Sequence, residues 1–116
     1  MQRYDYLKTI GGAAKDALTV CTGWGAREWW AVHPGEGNLK TRTLGLVSSI
    51  AAGLAIALPN RKVIAIDGDG AFLMNLCGLP TIALQNPGNL IHLLFDNEIY
   101  EASGGTATAS RHSDAV

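Results

Sequence analysis

The sequence has no appreciable excess of either charge: nine Lys and Arg stand against ten Asp and Glu, for a net charge of −1. Such a chain offers no broad basic face to nucleic acid and no polybasic patch to an anionic membrane. Cysteine is scarce. Cys21 and Cys77 lack C-x-x-C spacing, so no disulfide framework or zinc site is indicated. Both thiols are expected to be reduced and buried, which places the chain in the cytoplasm by default. Long apolar runs are also missing. The most apolar stretch, around 44–58, is interrupted by Gly45, Ser48, Ser49 and Gly53 and is too short and mixed for a bilayer span. The first ten residues lack the apolar core of a signal peptide. With 47% hydrophobic and 16% charged residues, the composition excludes a disordered chain.

What is abundant is glycine, fourteen in 116 residues. Glycine costs roughly 0.5–1 kcal/mol inside a helix or strand, so its clustering points to tight turns and to close backbone approach to a ligand. Residues 2–15 carry Tyr6, Leu7, Ile10 and Ala14 at helical spacing. Residues 17–22 read as a buried strand, 23–25 as a turn, 26–32 as a short helix and 37–43 as a polar loop. Residues 44–58 read as a helix apolar nearly all round, and so deeply buried. The run 62–67 is β-branched and near-continuous, as a strand covered on both faces is. Residues 71–85 are helical in two pieces, because Gly78 and Pro80 interrupt them. A turn at 86–89 leads into a second buried strand at 90–95, and the remainder is loop. Ser113-Asp114 has the composition of a helix N-cap. Strand, helix, strand makes a βαβ unit with parallel strands, and the whole reads as a single α/β domain over 1–116, a three-layer parallel sheet with helices on both faces.

Two short motifs carry the chemistry. Gly68-Asp69-Gly70 follows the strand at 62–67, and Asp96-Asn97 follows the strand at 90–95. In a parallel pair both carboxyl ends lie at one edge, where ligands of open α/β sheets bind. Asp69 and Asn97 are therefore expected to be neighbours. One carboxylate and one amide oxygen form a hard donor set, suited to Mg²⁺ or Ca²⁺ and poorly to Zn²⁺. Mg²⁺ takes few protein ligands and completes its octahedron with phosphate and water. The flanking glycines, and a helix start near Ala71, favour an anion at the same place. An EF-hand loop is excluded because Ala71 occupies a ligand position, and a G-x-G-x-x-G nucleotide loop because residue 73 is Leu.

A GDG triplet followed at this distance by Asp-Asn resembles the cofactor motif of thiamine-diphosphate (ThDP)-dependent enzymes. The segments IDGDGAFLMNL, NLIHLLFDNEIYEASGG and GLVSSIAAGLAIALPNRKVIAIDGDG resemble the sulfopyruvate and phosphonopyruvate decarboxylase branch of that family over residues 17–112. The resemblance implies a ThDP-binding fold, here short at the C-terminus. It implies Mg²⁺ on Asp69, Asn97 and the Ile99 carbonyl, and Gly68, Gly70 and Ala71 against the diphosphate. Gly104 and Gly105 would lie in a loop over the cofactor. Arg42-Thr43-Leu44-Gly45 would correspond to the segment whose apolar residue, here Leu44, bends the cofactor, with the Arg42 carbonyl facing its aminopyrimidine; the family has Gly at that first position.

The resemblance also implies a partner. The activating glutamate belongs to a pyrimidine-binding domain or α-type subunit, and neither Glu98 nor Glu101 is placed to replace it. The chain is expected to be one subunit of an oligomeric 2-oxo acid decarboxylase, inactive alone. An acetolactate-synthase-type carboligase subunit and a truncated, non-catalytic interaction module remain alternatives. Arg27 could meet an anionic substrate group or make a structural or interface contact, the latter being favoured. Trp24, Trp29 and Trp30 read as an interface patch or pocket wall, and His92 as core. His112 is unassigned.

Overall fold

The middle of the molecule is the β-branched run just before the GDG triplet. In the computed structural model, which describes residues 2–114, it forms strand β3 (Val63–Gly68), with five consecutive buried residues. Strand β1 (Leu18–Cys21) pairs parallel on one side and β4 (Leu90–Phe95) on the other, and β2 (Asn38–Lys40) completes the order β2-β1-β3-β4.

Alternation along the strands sends side chains to two layers. Cys21, Ile64 and Ile66 pack with Leu7 of helix α1 (Arg3–Ala13) and with Ala26 and Trp29 of α2 (Gly23–Val32). Val20, Val63 and Ala65 face Val47, Ala51 and Ala55 of α3 (Val47–Ala57). Helix α4 (Asp69–Leu73) follows β3 directly, and α5 (Leu79–Gln85) packs on α3. This is the three-layer α/β fold expected. The chain leaves β1 toward one face through α2 and leaves β3 toward the other through α4 and α5. A crevice therefore opens at the carboxyl ends of β1 and β3, the topological switch point where such sheets hold ligands.

Several local expectations are corrected. Residues 23–25 are not a turn but the first turn of α2, which Gly23 enters in the left-handed region, with φ +61°. Residues 37–43 contain a strand, β2, because a buried network replaces the missing apolar pattern. Trp29, fully buried, donates from Nε1 to Thr19 Oγ1 and to Asn38 Oδ1, both at 3.0 Å, and stacks on His33. Asn38 Nδ2 in turn donates to the His33 carbonyl. Trp29 is thus core rather than interface or pocket wall, while Trp24 and Trp30 are half-exposed. Helix α3 starts at Val47 and buries one face only: Ile56 is half-exposed, since absence of charge is not the same as burial. Strand β4 is only partly covered, because it is the sheet edge among the described residues and α5, which packs on α3, has no buried residue.

Cys21 is buried as expected, but Cys77 is exposed. Desolvation pushes the Cys21 thiol up to about 11. His92 is partly buried in β4, against Phe72. A helix beginning after Asp114 would lie outside the described residues. Among those described, no helix is long and apolar enough to cross a membrane.

Two outcomes follow from this core. Asn38→Ala leaves Trp29 one acceptor short and the His33 carbonyl without its donor, and should cost about 1–3 kcal/mol in urea unfolding; an unchanged midpoint would contradict the role given to the network. A thiol whose proton is held more tightly in the folded state stabilises fully below its ordinary value of 9.0. That contribution is lost as pH rises from there through about 11. Unfolding midpoints should therefore drop over that window in the wild type and less in Cys21→Ala.

Candidate functional site

The crevice at the switch point is a cleft of ≈ 90 Å³. That is well under the roughly 300–1,000 Å³ of complete ligand pockets. Its walls come from the ends of three strands. The β1 end gives Thr22 to Gly25, the β3 end gives Asp67 to Ala71, and Phe95, Asn97 and Ile99 follow from β4. Leu44, just before α3, and Arg3 and Glu101 close the rim. The expected neighbours Asp69 and Asn97 do share one cavity. Leu44, Gly68, Gly70, Ala71 and Ile99 line it too; Arg42, Gly104 and Gly105 do not.

Asp69 is the first residue of α4 and is 3% exposed. A buried carboxylate requires partners. Thr108 and Ser110 supply them: both hydroxyls reach Oδ2, Ser110 at 3.1 Å. No described donor bonds to Oδ1, and no described cation pairs with Asp69. Asn97 stands in an Asx turn, its Oδ1 accepting the Ile99 amide at 3.2 Å and its Nδ2 donating to Glu101 at 3.4 Å. Gly70 is held against the ring of Tyr100, where a Cβ would sit 2.6 Å from Cδ1. Because α4 spans only five residues, it contributes unpaired amides of a first helical turn rather than a sizeable dipole, which corrects the helix N-terminus expected at Ala71.

Charge decides what the cleft can take. Among the described residues lining it, Arg3 is set against three carboxylates, Asp67, Asp69 and Glu101. Arg3 is itself occupied, bonding Glu28 at 2.7 and 3.0 Å and Glu101 at 2.9 Å. The Glu28 hydrogen bond outweighs desolvation and, with Glu101, holds the guanidinium more firmly protonated than usual. A phosphate enters such a cleft only together with a cation. No cluster of three or more His, Cys, Asp or Glu side chains able to hold a metal occurs among the described residues. The donor set is instead one carboxylate, one amide and one carbonyl, which leaves most of an Mg²⁺ shell to phosphate and water.

The sequence profile described as "Thiamine pyrophosphate enzyme, C-terminal TPP binding domain" matches residues 18–115. The chain belongs to this family. Among its relatives is the sulfopyruvate decarboxylase subunit beta of Methanothermobacter thermautotrophicus, 38% identical over 93% of this chain and 59% of that protein. The phosphonopyruvate decarboxylase of Streptomyces hygroscopicus is 34% identical over 84% and 24% of the two chains. The acetolactate synthase isozyme 1 large subunit of Escherichia coli is 27% identical over 84% and 19%. The chain thus spans about three fifths of the sulfopyruvate decarboxylase beta subunits it matches.

Several residues of this candidate site were not found by sequence reasoning. Arg3 is distant in sequence from both motifs. Tyr100, Thr108 and Ser110 lie in a Gly-, Ser- and Thr-rich tail without periodicity. Arg27, instead of entering the cleft, lies over the Trp24 ring at 4.8 Å.

Gly70→Ala should push the Tyr100 ring from its seat and cost about 1–3 kcal/mol as overpacking, with altered near-ultraviolet dichroism. Wild-type stability and spectrum in that variant would show that Gly70 is not needed for close approach.

Proposed function

We propose that this chain binds thiamine diphosphate through Mg²⁺ and serves as one subunit of a decarboxylase of 2-oxo acids carrying a sulfonate or phosphonate group. The observation that carries the reading is the buried Asp69, paired with no cationic side chain among the described residues, in one cleft with Asn97 and Ile99 at the switch point of the sheet. In this reading Asp69 Oδ1, Asn97 Oδ1 and the Ile99 carbonyl hold the metal. The Gly70 and Ala71 amides donate to the diphosphate, and the glycine backbone at 68 and 70 lets it approach. Leu44, 44% exposed at the rim, props the cofactor in its bent form. Arg42, Gly104 and Gly105 lie outside the lining and are assigned no contact. When bound, thiamine diphosphate supplies the electron sink for loss of CO₂; the chain anchors and orients it.

The small, open cleft supports a second subunit that covers the cofactor's other half, as do relatives whose names carry "subunit beta". That subunit would bring the activating glutamate, since Glu101 is tied to Arg3 and Asn97 and Glu98 to Arg111. The decarboxylase reading is favoured over the carboligase by identities of 38% against 27%.

Thermal unfolding tests the binding reading. Thiamine diphosphate at a hundred times its Kd, with Mg²⁺, should stabilise the chain by about 2.7 kcal/mol, roughly 10 °C for a domain near this size. EDTA should abolish the shift, and Asp69→Asn should show none. A shift that survives EDTA or the substitution, or no shift in the wild type, would overturn the assignment of this site.

A further inference from the structure

We infer that Thr108 and Ser110 are positioning residues for the cation site: their hydroxyls fix the Asp69 carboxylate through Oδ2 so that Oδ1 is presented to the metal. The inference rests on the proposed metal–diphosphate reading and deepens it. Both side chains are buried, at 4% and 8% exposure, in a segment that is otherwise exposed from Glu101 to Asp114. The Thr108 methyl lies close to Gly70, but the two hydroxyls are not turned to solvent. What they meet is charge. Thr108 Oγ1 donates to Asp69 Oδ2. Ser110 Oγ lies 3.1 Å from the same oxygen, 2.9 Å from Asp96 Oδ1 and 2.8 Å from Thr108 Oγ1.

Proton counting sharpens the point. Two hydroxyls carry two protons, yet four oxygen pairs are in hydrogen-bond contact. Two of those pairs meet with no proton between them, beside two carboxylates. A cation on the other oxygen of Asp69 offsets the negative charge gathered there, so metal loading and the seating of this segment favour each other. The backbone supports the same coupling: the Thr108 amide donates to the Glu98 carbonyl at 2.9 Å, and β5 (Ile99–Tyr100) pairs antiparallel with β6 (Thr106–Ala107). The segment carrying the two hydroxyls is thereby fastened to the strand that contains Ile99. Outer partners of metal ligands typically contribute ten- to a hundredfold to metal affinity.

The test is the Mg²⁺ concentration giving half of the diphosphate-dependent rise in melting temperature, measured at fixed thiamine diphosphate. The proteins are the full chain as wild type, Thr108→Val, Thr108→Ser and Ser110→Ala. Thr108→Val and Ser110→Ala should each need about ten times more Mg²⁺ or beyond, while Thr108→Ser stays within about threefold of wild type. A merely structural anchor would lower the ligand-free melting temperature and leave the Mg²⁺ midpoint unmoved; that result overturns the inference and leaves the metal site standing. A wild type with no Mg²⁺-dependent shift overturns both together. Should Thr108→Val not fold, Ser110→Ala and Thr108→Ser decide alone: equal midpoints in all soluble proteins overturn the inference.

Discussion

A carboxylate taken out of water must find hydrogen bonds, a cation or a proton, and much of this structure is arranged around one such group. Asp69 sits at the point where β3 becomes α4, 3% exposed, with no cation among the described residues. Two hydroxyls from far along the chain satisfy one of its oxygens. The other oxygen, the Asn97 amide and the Ile99 carbonyl supply oxygen donors but no compensating positive charge. In the proposed reading a site built this way takes a hard divalent ion and, behind it, an anion.

The fold explains why that group lies where a ligand can reach it. The connections from β1 and from β3 leave toward opposite faces, so no helix closes the edge between them. The metal-site candidates approach this opening from two strands, Asp69 from β3 and Asn97 from β4, while the β1 end contributes Thr22 to Gly25 as a wall. Rigidity comes from outside the cleft. The Trp29–Thr19–Asn38 network ties β1, α2 and β2 together, and Asn89 donates to the carbonyls of Ala55, Leu58 and Arg61, fastening the end of α3 to the start of β4. On the rim, Arg3 bridges α2 and the segment after β5 through Glu28 and Glu101.

Strands β3 and β4 were legible because mainly apolar runs end abruptly at Gly68 and Asp96, and the expectation that Asp69 and Asn97 are neighbours followed from that punctuation and the parallel pairing. Strand β2 was not legible. Asn38-Leu39-Lys40 has no apolar period, and it is a strand because a buried Asn meets a Trp nine positions away. The start of α2 was misread because Gly23 and Gly25 carry a turn's composition, whereas here a left-handed Gly23 leads straight into helix. The exposure of β4 and α5 depends on what lies beside them, which local pattern does not encode. Thr108 meets Asp69 across 39 positions, a contact that no short-range signal announces.

The most direct test of the central claim is spectroscopic, with Mn²⁺ replacing Mg²⁺ and amide resonances recorded on adding thiamine diphosphate. A paramagnetic ion held by Asp69, Asn97 and Ile99 should broaden the signals of Gly70, Ala71 and Ile99 beyond detection. It should leave those at the far end of the sheet, such as Lys62 and Asn89, sharp. Broadening centred elsewhere, or unchanged when Asp69 is replaced by Asn, would contradict the account.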